Sequence, residues 1–132
     1  MEEMSWLWRF GRWTIAGVWL YEGLWKKLLT ADSHHFDVVA SVPWLSTAAV
    51  HILMVAIGGA EVLLAGWVLT RKRPCLATLA QTLLLVGMNT GGLIWSRTHI
   101  SDPPGMVVHN AAFIALIWVV GIQQNQVHAP SL

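Results

Sequence analysis

Four apolar windows, at residues 13–29, 44–70, 75–95 and 104–122, fill most of this 132-residue chain. A helix rises about 1.5 Å per residue, so some 20 residues cross the roughly 30 Å of bilayer hydrocarbon. Inside lipid the backbone must satisfy its own polar groups, and consecutive windows of this length do so as helices. The expected fold is therefore all-α: an integral-membrane, antiparallel four-helix bundle forming one domain over residues 1–132. Composition agrees, since 55% of the residues are hydrophobic and only 11% charged, well away from the balance of a soluble domain.

The connectors carry the punctuation. Pro43 suits the first turn of the second helix, Pro74 separates the second from the third, and Pro103 with Pro104 fixes the start of the fourth. The long first connector contains "HHFDVV", which reads as a short interfacial segment. Five Lys and Arg residues (Arg9, Arg12, Arg71, Lys72, Arg73) fall on the side of the amino terminus and three (Lys26, Lys27, Arg97) on the other, so both termini are expected in the cytoplasm. The start "MEEMSWLWRFGRW" lacks a cleavage pattern, and the first helix is expected to be retained. Trp25, Trp44 and Trp95 should mark the outer interface, and Trp8 and Trp67 the inner one. Gly87-x-x-x-Gly91, the Gly58, Gly59, Ala60 cluster and Ala111 with Ala115 are expected to mark helix contacts.

Several function classes drop out. A formal charge of +1 leaves no dense basic face for nucleic acid. The single Cys75 excludes an internal disulfide and Cys-x-x-Cys chemistry. There is no dinucleotide fingerprint and no c-type haem attachment motif. His34, His35 and His99 with Asp32, Asp37 and Asp102 gather on the outer side, but their spacing matches no metal motif and no metal site is expected.

The informative residues are the polar ones inside the windows. Glu22 and Lys26 are one turn apart and share a helix face. A charge at membrane depth costs about 2.5–3.5 kcal/mol even on a lenient scale, so it must be paired, neutral or directed into a polar interior. One reading is an interfacial pair in which Lys26 snorkels to the headgroups. The other notes that His51, Asn89, His109 and Asn110 fall at similar depth by residue counting, with Glu61 nearer the centre, hydrogen-bonded or neutral. Singly, such groups most often bond one helix to another. Together, Glu22, Lys26, His51, Glu61, Asn89, His109 and Asn110 are expected to line a polar pocket for a quinone-like or other amphipathic ligand, with Glu22, Glu61, His51 and His109 as proton-transfer candidates.

The segments "WLYEGLWKKLL", "GGAEVLLAGWVL" and "DPPGMVVHNAAFIALI" resemble the DoxX-like family of small four-helix bacterial membrane proteins. The likeness rests on Gly23 with Lys26, on Glu61, and on Asp102-Pro103 ahead of Asn110. It implies a protein of the bacterial cytoplasmic membrane, close to quinone chemistry and associated with a membrane oxidoreductase. The dithiol chemistry of thiol-quinone oxidoreductases does not carry over, because the cysteine pairs are missing. The expected role is an accessory subunit with other membrane subunits as partners and a homo-oligomer compatible. The alternatives are a stand-alone quinone-interacting oxidoreductase, or a small-molecule binding or transport module. Histidines 51 and 109 come from the sequence itself and not from the resemblance.

Overall fold

The computed structural model of the chain describes residues 2–29 and 33–128, and the side chains of 5–28 and 36–126. The described residues form helices and turns, with no strand among them. Helix α1 (Glu2–Leu20) runs directly into a π-helical segment (Tyr21–Leu29); α2 (Ser33–Ala40), α3 (Thr47–Thr70), α4 (Pro74–Trp95) and α5 (Pro103–His128) follow, with a 3-10 turn at Arg97–His99.

The helix ends follow local chemistry. Ser46 stands in extended backbone and its hydroxyl accepts from the Ala49 amide at 3.2 Å, so α3 starts at Thr47 while Pro43 and Trp44 remain in the preceding turn. Asp102 starts α5: its carboxylate accepts from the Gly105 amide at 3.1 Å, and a β-carbon at Gly105 would sit 1.9 Å from that carboxylate. Between α3 and α4 only three residues intervene, and two of them, Arg71 (φ 60°) and Arg73 (φ 47°), take the left-handed conformation. That costs about 1–2 kcal/mol each for L-residues, offset by the short reversal it permits and by the Trp67 indole, which donates to the Lys72 carbonyl at 2.8 Å. The first connector carries α2, which packs on α3 and on α4; Ser96, at the end of α4, donates to the Val38 carbonyl and meets the Ser41 hydroxyl.

α3, α4 and residues 103–126 of α5 are long and apolar enough to cross a membrane. The first helical stretch interrupts its apolar run with Arg9, Arg12, Glu22, Lys26 and Lys27, yet it lies against α3 over most of its length. Gly23 meets Gly58 and Glu61 near one end, and Arg12 feels the charge of Arg71 near the other, so the two run antiparallel. α5 is antiparallel to α1, with Gly11 against Val120 and the rings of Trp19 and Phe113 5.6 Å apart. α4 packs chiefly on α5, and α3 touches α4 only sparsely. The amino-terminal part of α1 and the carboxy-terminal part of α5 therefore lie at the same end of the molecule.

One core results: Ile15, Ala16 and Trp19 from α1, Leu64, Ala65 and Val68 from α3, Leu85 from α4, and Ile117 and Val120 from α5. The outward surface is as greasy as the inside, with Leu63 75% and Ile52 71% exposed, the pattern of helices whose solvent is hydrocarbon. The close helix contacts match the expectation at Gly58 and differ from it elsewhere. A β-carbon at Gly87 would meet nothing within 4 Å, and one at Gly91 would meet only the Trp95 ring of its own helix. Ala111 and Ala115 are exposed. Small-residue spacing marks a face that permits close approach; another helix fills it at the expected Gly58, where Gly59 beside it meets nothing, and otherwise at Gly11, Gly23 and Gly121.

A polar bond crosses the core. The Trp19 indole donates to Gln81 Oε1 at 2.8 Å, both residues being buried, and Gln81 Nε2 donates to the Ala77 carbonyl. Trp19→Phe leaves that oxygen unpaired in a dry interior and should lower stability by about 1–2 kcal/mol. Denaturant titration in micelles checks this, and Trp19→Phe with Gln81→Leu should recover part of the loss.

Candidate functional site

The stretch "YEGLWKKLL" is wound as a π-helix, and this decides which lysine turns inward. In an α-helix residues five apart lie about 140° from each other around the axis. The wider π turn, with i→i+5 bonds, narrows that angle and brings Glu22 and Lys27 onto one side. Lys27 Nζ donates to the Glu22 carbonyl at 3.3 Å and lies 3.9 Å from Glu22 Oε2. The carboxylate belonging to its main partner comes from α3: Nζ stands 3.0 Å from Glu61 Oε1 and 2.9 Å from Glu61 Oε2. The three N–H bonds of the ammonium thus have three acceptors, two carboxylate oxygens and one carbonyl. Lys27 is 8% exposed and Glu61 1%. The Glu22 side chain, at 35%, is the open member of the trio.

Two glycines make this approach possible. A β-carbon on Gly23 would stand 2.7 Å from the Gly58 carbonyl oxygen and 2.7 Å from Glu61 Cβ. One on Gly58 would stand 3.1 Å from Lys27 Cβ. Backbone meets backbone there, and short reach is what lets a lysine stem deliver its charge to a carboxylate beneath it.

The remaining predicted residues fall in other places. Lys26 sets its ammonium 5.6 Å from the centre of the Tyr21 ring. His51 is exposed on α3, its ring 4.9 Å from that of Phe36 on α2. His109 is exposed on α5; its Nδ1–H donates to the Gly105 carbonyl at 2.7 Å, because a carbonyl can only accept, and this directs Nε2 away from its own helix turn. Asn110 donates to Asn89 Oδ1 at 2.8 Å, tying α5 to α4, while Asn89 Nδ2 donates to the Leu85 carbonyl at 2.7 Å. A second tie joins the same helices, from the Trp118 indole to Thr82 Oγ1 at 3.0 Å. The structure thus brings Glu22 and Glu61 together around Lys27 and brings Asn89 to Asn110, and it places both histidines on outer faces. The apolar groove between α3 and α4 and the small recess at the Arg71 turn are lined by none of the seven.

In the connector between α4 and α5, His99 is exposed and Asp102 is occupied as the cap of α5. Asp32 and the side chains of His34 and His35 lie outside the described residues. Among the described residues no three of His, Cys, Asp and Glu are grouped to hold a metal ion.

A sequence model described as the DoxX-like family matches residues 16–118, most of the chain. The chain belongs to the DoxX-like family. No curated protein and no solved structure matches it. With the apolar helices, membership makes it a small multi-pass membrane protein. The Glu22–Lys27–Glu61 trio and both ties between α4 and α5 lie inside the DoxX-like match, whereas the cations Arg9 and Arg12 lie before it.

Sequence reasoning missed Lys27 in this DoxX-like chain because it applied α-helical spacing and so favoured Lys26. It also passed over the Trp19–Gln81 bond. A signal for the second was present, since Gln81 interrupts the apolar run of α4 and a buried amide needs a partner.

Proposed function

We propose that this DoxX-like protein is an accessory, noncatalytic subunit of a membrane oxidoreductase or energy-conversion complex of the bacterial cytoplasmic membrane. It crosses as an antiparallel four-helix bundle with both termini in the cytoplasm, the α1–π stretch serving as the fourth span because it accompanies α3. One observation supports the reading: the Lys27–Glu61, Trp19–Gln81 and Asn110–Asn89 pairs bond helix to helix, while several other indoles and the His51 and His109 imidazoles face outward. Trp6, Trp13 and Trp118 are exposed together with His51 and His109. Exposed indoles are among the groups that anchor protein interfaces. Association with an oxidoreductase is what family membership suggests.

Purification in native lipid tests this. Defined membrane-protein partners should accompany the chain in fixed ratio; recovery of the chain alone would overturn the reading.

A second reading is favoured by the open flank of the trio. Glu22, Lys27 and Glu61 form a line from a half-exposed carboxylate to a buried one, a short proton path for a stand-alone quinone-interacting oxidoreductase, with His51 and His109 as outer groups. Under the accessory reading Glu22→Gln leaves quinol turnover of native membranes unchanged. A drop of tenfold or more, with the protein still folded, would favour the second.

A further inference from the structure

We propose that the seam between α3 and α4 binds one anionic phospholipid, an acyl chain lying in the apolar groove and the phosphate held by Arg71, Lys72 and Arg73.

The groove has a volume of about 370 Å³ and is lined by Ala60, Leu63, Leu64, Trp67, Ala80 and Leu84. Its origin is visible in the residues: small Ala60 and Ala80 stand on helices that are neighbours in sequence but touch sparsely. No donor or acceptor side chain other than the Trp67 indole lines it, so its occupant there is hydrocarbon. That indole is fastened to the Lys72 carbonyl at 2.8 Å, and Trp67 also walls the recess that Arg71 and Lys72 line. The groove therefore ends at the cationic turn.

Arg71, Lys72 and Arg73 are all exposed, and the left-handed backbone at both arginines packs three cations into a single reversal. Arg12, just before the first apolar window, adds to the cluster; burial first, and then the charges of Arg71 and Arg9, lower the pKa of its guanidinium. Like charges gathered beside an apolar slot are complementary to a molecule with a phosphate at one end and a hydrocarbon chain at the other. A neutral quinone head or a zwitterionic lipid leaves those cations uncompensated.

Native mass spectrometry of the delipidated full chain tests the site with phosphatidylglycerol, with phosphatidylcholine of the same acyl chains, and with inorganic phosphate. Phosphatidylglycerol should be retained at least about tenfold better than phosphatidylcholine, as several Lys and Arg at an anionic headgroup imply. The triple variant Arg71→Gln/Lys72→Gln/Arg73→Gln, altered only at exposed positions, should lose that preference while keeping its fold. Ala60→Leu, which fills the groove, should weaken both lipids with the cations intact. Equal retention of the two lipids, a preference that survives the triple variant, or displacement of phosphatidylglycerol by inorganic phosphate alone would each overturn the proposal.

Discussion

Lys27→Met should destabilise the protein by about 3–5 kcal/mol, the usual consequence of removing one member of a buried ion pair. The loss falls on Glu61, 1% exposed, whose carboxylate oxygens would both lose their bond to the ammonium. Glu61→Leu should cost less, because the four-carbon stem of Lys27 can bend its ammonium toward the headgroups. This order, with the lysine variant the weaker protein, is specific to the pair as built. Denaturant titration of both variants in bicelles measures it, and equal or reversed losses would count against it.

Gly23→Ala is expected to cost about 1–3 kcal/mol, a large effect for one methyl group. The new carbon would stand 2.7 Å from the Gly58 carbonyl oxygen, a backbone atom that cannot swing aside, so the π segment and α3 must separate. Separation lengthens the Lys27–Glu61 contact as well, and the two losses are coupled. Gly87→Ala supplies the contrast. Nothing lies within 4 Å of that position, and exchanging Gly for Ala in a helix interior should stabilise by up to about 1 kcal/mol. Thermal unfolding of the two variants in the same detergent shows whether glycine is required at the joint and dispensable on the open face. Matching shifts would mean that the close approach at Gly23 is not a constraint.

The sequence shows position along a helix much better than direction around it. Counting residues from the connectors placed Glu61, His51 and His109 along their helices, and the apolar windows correspond to α3, α4 and most of α5. Rotation about each helix axis is set by the neighbours, and no count supplies it. For Glu61 the answer was forced, since a carboxylate inside a long apolar helix must find a partner inside. For the histidines it was open: an imidazole bonds to its own helix or stacks on a nearby ring, as His109 does with Gly105 and His51 with Phe36, and needs no central partner. The choice between Lys26 and Lys27 turned on winding. Glu22 and Lys26 obey α-helical spacing, and nothing in "EGLWKK" announces five-residue hydrogen bonding. Contact with Gly58 and Glu61 is what rewards the wider turn, and that is a tertiary cause. The Gly87–Gly91 spacing shows the same limit from the other side, being a motif for close approach on a face that no helix among the described residues occupies.

If the buried charges serve to join helices, they should be replaceable as a pair. The decisive measurement is the stability of Lys27→Met/Glu61→Leu beside each single variant, together with the proteins each one retains on purification. The expected result is a double variant within about 1 kcal/mol of the unmodified protein, since well-packed apolar groups commonly substitute for a buried ion pair, and with its partners unchanged. A double variant as unstable as Lys27→Met, or one that folds normally yet loses its partners, would contradict that role.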